Sequence, residues 1–144
     1  FEIIPVATKR AVVKLDEKKA RSKVERWQGI AEAAAKQSKR GIIPQVTMPV
    51  SFSEAVKRAS TMDLRLIPYE MAEDGMAITR ELIESARPGM DIAVFIGPEG
   101  GFEQEEIQRA LANDIRPITL GKRILRTETA GLTVLSWLMY QLEN

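Results

Sequence analysis

The chain has 144 residues, with 21 Lys and Arg against 20 Asp and Glu, so its net charge of +1 rules out binding nucleic acid by bulk charge alone. A hydrophobic share of 44% and a charged share of 28% suit one globular core. The absence of cysteine and histidine excludes disulfides, thiol nucleophiles, common zinc sites and histidine-based triads. Any chemistry must run on carboxylates, Arg, Lys, Tyr, Ser, Thr and the backbone, and no metal is expected.

In chain order, Phe1 to Val6 reads as a strand, with Ala11 to Lys14 a continuation. Asp16 is placed to cap a helix running to about Arg40, since its carboxylate can accept free backbone N–H groups. Val24, Trp27, Ala31, Ala34 and Ala35 recur there at three- and four-residue spacing, Gly41 suits a left-handed stop, and Pro44 closes the segment. Ser51 or Ser53 starts a second helix to about Ala59. Leu64 to Tyr69 reads as a strand, Thr79 to Ala86 as a helix and Pro88-Gly89 as a turn. Asp91 to Ile96 reads as a buried strand, Glu103 to Asn113 as a helix and Pro117 to Leu120 as a strand. A long apolar helix, Glu128 to about Leu142, comes last.

Strands alternating with helices imply an α/β fold: a mostly parallel sheet with helices on both faces. Ligands bind such sheets where strands pass into loops. Those loops are Pro68-Tyr69-Glu70, Gly97-Pro98-Glu99-Gly100-Gly101 and Gly121-Lys122-Arg123. The last helix has more apolar residues than one stripe against a sheet needs, so it is either fully buried or half covered by a partner subunit. The longest apolar run, Ile92 to Ile96, is too short for a bilayer. No basic-then-apolar signal opens the chain, so a cytoplasmic location without membrane contact is expected.

The run Gly97-Pro98-Glu99-Gly100-Gly101 lacks the spacing of a P-loop or a dinucleotide fingerprint. Glu99, Glu103, Glu105 and Glu106 surround the following helix start and already answer its partial positive charge. A phosphate would meet repulsion there, whereas a neutral adenosine or a cationic sulfonium would not. On pattern alone the glycines could equally make a tight turn. In the second loop, Lys122, Arg123 and Arg126 stand beside Thr127 and Glu128. Read plainly, this is a helix start capped by Thr127 or Glu128, with Arg126 paired to a carboxylate.

Ile96-Gly97-Pro98-Glu99-Gly100-Gly101-Phe102, followed by Leu120-Gly121-Lys122-Arg123-Ile124-Leu125-Arg126-Thr127-Glu128-Thr129-Ala130, resembles the paired signature of the RsmE family. Arg26-Trp27, Ala33-Ala34 and Gln37-Ser38-Lys39-Arg40 before Pro44 resemble the family's upstream helix, so the likeness spans about Ile3 to Leu142. It implies a methyltransferase of the SPOUT class that uses S-adenosyl-L-methionine to methylate N3 of a uridine in 16S ribosomal RNA. It also implies a C-terminal trefoil knot that holds the cofactor, and a homodimer whose partner completes each site. The expected substrate is ribosomal RNA or the small ribosomal subunit. Residues 1–144 would be the catalytic domain, N-terminally truncated, without the family's RNA-binding β-barrel. Glu103 departs from the Ser or Thr common at that position, which weakens a helix cap.

By resemblance, Leu66, Ile67, Pro68, Ile96, Gly97, Glu99, Gly100, Gly101, Leu120, Gly121, Ile124 and Leu125 hold the cofactor, largely through backbone. Methylation at N3 must remove a weakly acidic proton without histidine. Arg126 is the candidate to stabilise the uridine anion and Glu128 to accept the proton. Arg40, with Arg10, guides RNA phosphate or completes the partner's site, and Lys39, Lys122 and Arg123 are further candidates for RNA contact. Competing readings are a SPOUT enzyme acting on transfer RNA or a ribose 2′-hydroxyl, and a catalytically silent RNA- or adenosine-binding module. A phosphate-binding enzyme is disfavoured by the acidic helix start.

Overall fold

Two units, Phe1–Ala55 and Val56–Asn144, make up the chain in a computed structural model that describes residues 1–10, 16–70 and 75–143. In the first unit the opening extended segment divides into β1 (Glu2–Ile3) and β2 (Val6–Ala7). β1 pairs in parallel with β3 (Gln45–Val46) and β2 with β4 (Val50–Ser51). Proline explains the break, since Pro5 on one side and Pro49 on the other have no amide hydrogen to donate. The ladder resumes where the Val50 amide donates to the Pro5 carbonyl, at 3.0 Å. β3 and β4 were not expected, because two-residue strands are too short to show an alternating pattern. The anticipated continuation Ala11 to Lys14 lies outside the described residues.

α1 (Glu17–Gln37) starts as its sequence dictates: the Asp16 carboxylate accepts the Lys19 amide hydrogen at 2.8 Å. Ala20 and Ala35 are buried and Val24, Trp27 and Ala31 half-buried, while Ala34, expected on the same stripe, is exposed. The helix stops earlier than expected, and not at Gly41. The left-handed residue is Lys39, at φ 58°. Its amide donates to Lys36 O (3.2 Å) and that of Arg40 to Ala35 O (2.9 Å), the two bonds of a Schellman end. Glycine arrives two residues late, so a side chain occupies a backbone region that costs it about 1 kcal/mol. From the middle of α1, Gln28 grips β3 on two sides: Nε2 donates to Pro44 O (3.0 Å) and Oε1 accepts from Val46 N (2.8 Å). α2 (Phe52–Ala59) is capped by Ser51 rather than Ser53, with the Glu54 amide donating to Ser51 Oγ at 3.1 Å.

The second unit is built on three parallel strands: β5 (Leu64–Pro68) lies between β6 (Ile92–Val94) and β7 (Arg116–Ile118). α3 (Gly75–Glu84), α4 (Gln104–Ala112) and α5 (Thr127–Leu142) complete it. Alternation along β5 separates the two faces. Leu64 and Leu66 join Ile118, Ile83, Ala86, Val134 and Leu138 in one core cluster beneath α3 and α5. Arg65 points the other way, to the end of α4, where it donates to Asn113 O (3.3 Å) and pairs with Asp114 (3.3 Å). Helices therefore cover both faces, as expected. Burial of Val134 and Leu138 contributes about 1.5–3 kcal/mol each.

α3 begins at Gly75, one turn before the expected Thr79. Thr79 is not a cap: its hydroxyl bonds back to the Gly75 carbonyl (2.7 Å), as a mid-helix threonine does. At α4, Glu103 and Glu106 form a reciprocal capping box in which the Glu103 amide donates to Glu106 Oε1 at 2.9 Å. The carboxylate thus serves as the cap that Glu103 was expected to weaken. α5 is not fully buried in this chain. Ala130, Val134 and Leu138 face the core, whereas Leu132, Leu135, Met139 and Tyr140 are 53–78% exposed. No helix among the described residues is long and apolar enough to cross a membrane.

Candidate functional site

Because β5, β6 and β7 run parallel, their carboxyl ends open on the same edge of the sheet. The three loops singled out in the sequence leave from that edge. Pairing continues to its lip: the Phe95 amide donates to Leu66 O and that of Tyr69 to Ile118 O, both at 2.9 Å. α5 reaches the same place, where a Cβ at Gly131 would make an ordinary van der Waals contact with Ile96 Cγ1, at 3.9 Å.

Leu66 and Ile67 are fully buried and Pro68 is half-buried. In the first loop Ile96, Gly97 and Gly101 are half-buried and Glu99 and Gly100 exposed. Gly101, at φ 76°, donates its amide to Pro98 O (2.8 Å), a conformation that disfavours any side chain. At Gly97 the chain itself leaves little room for a side chain. The Phe102 ring already occupies the space beside it, 3.1 Å from where a Cβ would stand.

In the second loop Leu120 and Leu125 are half-buried, while Gly121, Lys122, Arg123, Arg126 and Glu128 are exposed and Ile124 is 98% exposed. Gly121 has φ 103°. Neither Thr127 nor Glu128 is the cap of α5, because both already lie in its first turn. The cap position falls to Arg126, whose side chain makes no capping bond. A guanidinium has donors only, so capping does not account for an arginine here.

The edge has two electrostatic sides. Glu99, Glu103, Glu105 and Glu106 gather at the first loop and the start of α4, and Lys122, Arg123 and Arg126 on the second loop. The acidic side disfavours phosphate and tolerates a cation; the basic side suits a polyanion. Arg10, Lys39 and Arg40 belong to the first unit, where the Arg40 guanidinium lies 4.9 Å from the centroid of the Phe1 ring. Among the described residues no cluster of three acidic side chains could share a metal ion.

Sequence reasoning missed Phe102, Met76, Thr79 and Gly131 as neighbours of these loops. Only Gly131, a glycine inside an apolar helix, stood out locally.

The RNA methyltransferase domain family model matches residues 1–139. Ribosomal RNA small subunit methyltransferase E of Bacillus subtilis is 40% identical over 142 residues, covering 97% of this chain and 56% of that protein. The crystal structure of a ribosomal RNA small subunit methyltransferase E from Neisseria gonorrhoeae bound to S-adenosyl methionine superposes with a TM-score of 0.81 at 31% identity, covering 98% of this chain and 55% of that one. A Legionella pneumophila protein in complex with the cofactor SAM superposes with a TM-score of 0.83 at 34% identity, over 98% and 55%. The chain spans about half the length of the curated relatives it matches.

Proposed function

This chain belongs to the RNA methyltransferase domain family, in the branch of the ribosomal RNA small subunit methyltransferases E, and on that premise we propose that it is the S-adenosylmethionine-dependent catalytic domain of an enzyme that methylates N3 of a uridine in 16S ribosomal RNA. The observation that carries this reading is the convergence of both signature loops on one sheet edge, where Arg126 occupies a helix cap it cannot serve.

The residues fit the cofactor. Gly101 and Gly121 keep the backbone bare at positive φ, and Ile96, Leu120 and Leu125 offer apolar surface of the kind an adenine needs. The carboxylates at the start of α4 favour a cation over a phosphate. Bound there, S-adenosylmethionine would supply an electron-poor methyl group on a sulfonium. Backbone of Leu66, Ile67, Pro68, Gly97, Glu99, Gly100 and Ile124 completes the cradle.

Glu128 accepts the uridine N3 proton, and Arg126 stabilises the charge that then spreads onto the uracil oxygens. Lys122 and Arg123 contact RNA phosphate. Arg40, with Arg10, guides RNA phosphate or completes a partner's site, and Lys39 is a further RNA contact. The exposed Leu132, Leu135 and Met139 of α5 favour a homodimer closed across that helix. A trefoil knot in the C-terminal segment, RNA selection shared with a β-barrel domain and a cytoplasmic location belong to the same reading.

Calorimetric titration with S-adenosylhomocysteine tests the pocket, and about one site per subunit is expected. No binding by a folded dimer would overturn the reading. Nucleoside mass spectrometry of 16S RNA treated with the full-length protein tests the product. A methyl group on any atom other than uridine N3 would reject that specificity.

A further inference from the structure

In the second unit one buried hydroxyl ties the first turn of α3 to the loop that follows β7. Thr79 is 1% exposed. Its Oγ1 donates to Gly75 O (2.7 Å) and accepts the amide hydrogen of Thr119 (2.9 Å). Thr119 then uses its own hydroxyl on Gly121, accepting from the amide (3.3 Å) and donating to the carbonyl (3.4 Å). The methyl of Met76, from the same turn of α3, lies 3.9 Å from where a Cβ at Gly121 would stand.

Packing alone asks only for a side chain of this size at 79. A valine would fill the volume and leave the Thr119 amide unpaired. The hydroxyl has one proton, committed to Gly75, so its lone pairs are aimed and the Thr119 amide has a fixed direction to meet. The relay ends on Gly121, whose φ of 103° few other residues could adopt. α3 thereby dictates the course of the backbone through Thr119, Leu120 and Gly121.

We propose that Thr79 is a positioning residue for the cofactor: its hydroxyl holds Thr119–Gly121 in the course from which Leu120 and Gly121 present their backbone to S-adenosylmethionine. This rests on the functional reading above. Without the relay the loop samples other courses, and apparent affinity falls by the fraction of time it spends in the competent one.

The test titrates wild type, Thr79→Val and Thr79→Ser with S-adenosylhomocysteine and follows thermal unfolding of each. Thr79→Val is expected to raise Kd about tenfold, and Thr79→Ser, which keeps the hydroxyl, to stay within about twofold. A lowered Tm for Thr79→Val with unchanged Kd would mean a purely structural bond and overturn the proposal. Should Thr79→Val not fold, Thr119→Ala cuts the second link at a half-buried position, with a Kd about threefold higher expected. An unchanged Kd there overturns the proposal equally. Absence of binding by folded wild type defeats the functional reading, and this one with it; normal wild-type binding with indifferent variants defeats this one alone.

Discussion

The ring of Phe102 stands 3.1 Å from the point a Cβ would occupy at Gly97, so these two residues fill one space between them. Gly97→Ala must move the ring by a few tenths of an ångström, and overpacking of this kind costs about 1–3 kcal/mol. The shift falls on the loop that leaves β6, so affinity for S-adenosylhomocysteine should drop several-fold. Because the conflict is with the ring, Gly97→Ala combined with Phe102→Leu should lose less than the sum of the single changes. A double-mutant cycle on Kd checks this. Strict additivity would show that the ring and the glycine act independently.

Lys39 and Asp114 both sit at positive φ, 58° and 60°, each just beyond a helix end, yet they should respond differently to glycine. Lys39→Gly relieves the strained backbone and breaks no side-chain bond to the described residues, so stability should rise by about 1 kcal/mol. Asp114→Gly gains the same relief and loses the pairing with Arg65, whose side chain is only 17% exposed. The two effects offset, and a net change near zero is expected. Urea midpoints at unchanged m settle the comparison. Equal gains at both positions would show that the Arg65 pair contributes nothing.

The sequence made legible what depends on local chemistry. Asp16 capped α1, the glycine runs lay at strand ends, and alternation of strands and helices implied a parallel sheet with both faces covered. What stayed hidden depends on partners distant in sequence. No local pattern says that Thr79 will meet Thr119, or that Phe102 turns back over Gly97. Gly41 misled because glycine is merely the commonest left-handed residue, and the geometry of α1 placed the turn at Lys39. The cap of α5 was expected at Thr127 or Glu128, but the helix begins at Thr127 and makes Arg126 the cap position.

α5 offers a direct test of the proposed dimer. Leu135 is 53% exposed in this chain, so Leu135→Glu should barely disturb the subunit's own core. A charge buried without a partner in an interface costs several kcal/mol, enough to dissociate it. Sedimentation should therefore find a wild-type dimer and a folded Leu135→Glu monomer. A variant that stays dimeric would place the interface elsewhere than on this face of α5.

Arg126 sets stability against activity at a single position. Its φ of −64° and ψ of 152° are those of a helix cap, but its side chain has nothing to accept the free amides of the first turn of α5. Serine has, so Arg126→Ser should stabilise the protein by about 0.5–2 kcal/mol. The same change removes the only positive charge assigned to the uracil anion, and loss of one such electrostatic stabiliser lowers turnover by about 10²–10³. Affinity for S-adenosylhomocysteine should change little, since the cofactor is assigned to backbone and apolar groups. Thermal unfolding, calorimetry and methyl incorporation into 16S RNA on the same preparation read all three quantities. A stabilised variant that binds cofactor and no longer methylates would establish that this arginine is kept for chemistry at the expense of the helix. A stabilised variant with full turnover would remove Arg126 from the mechanism.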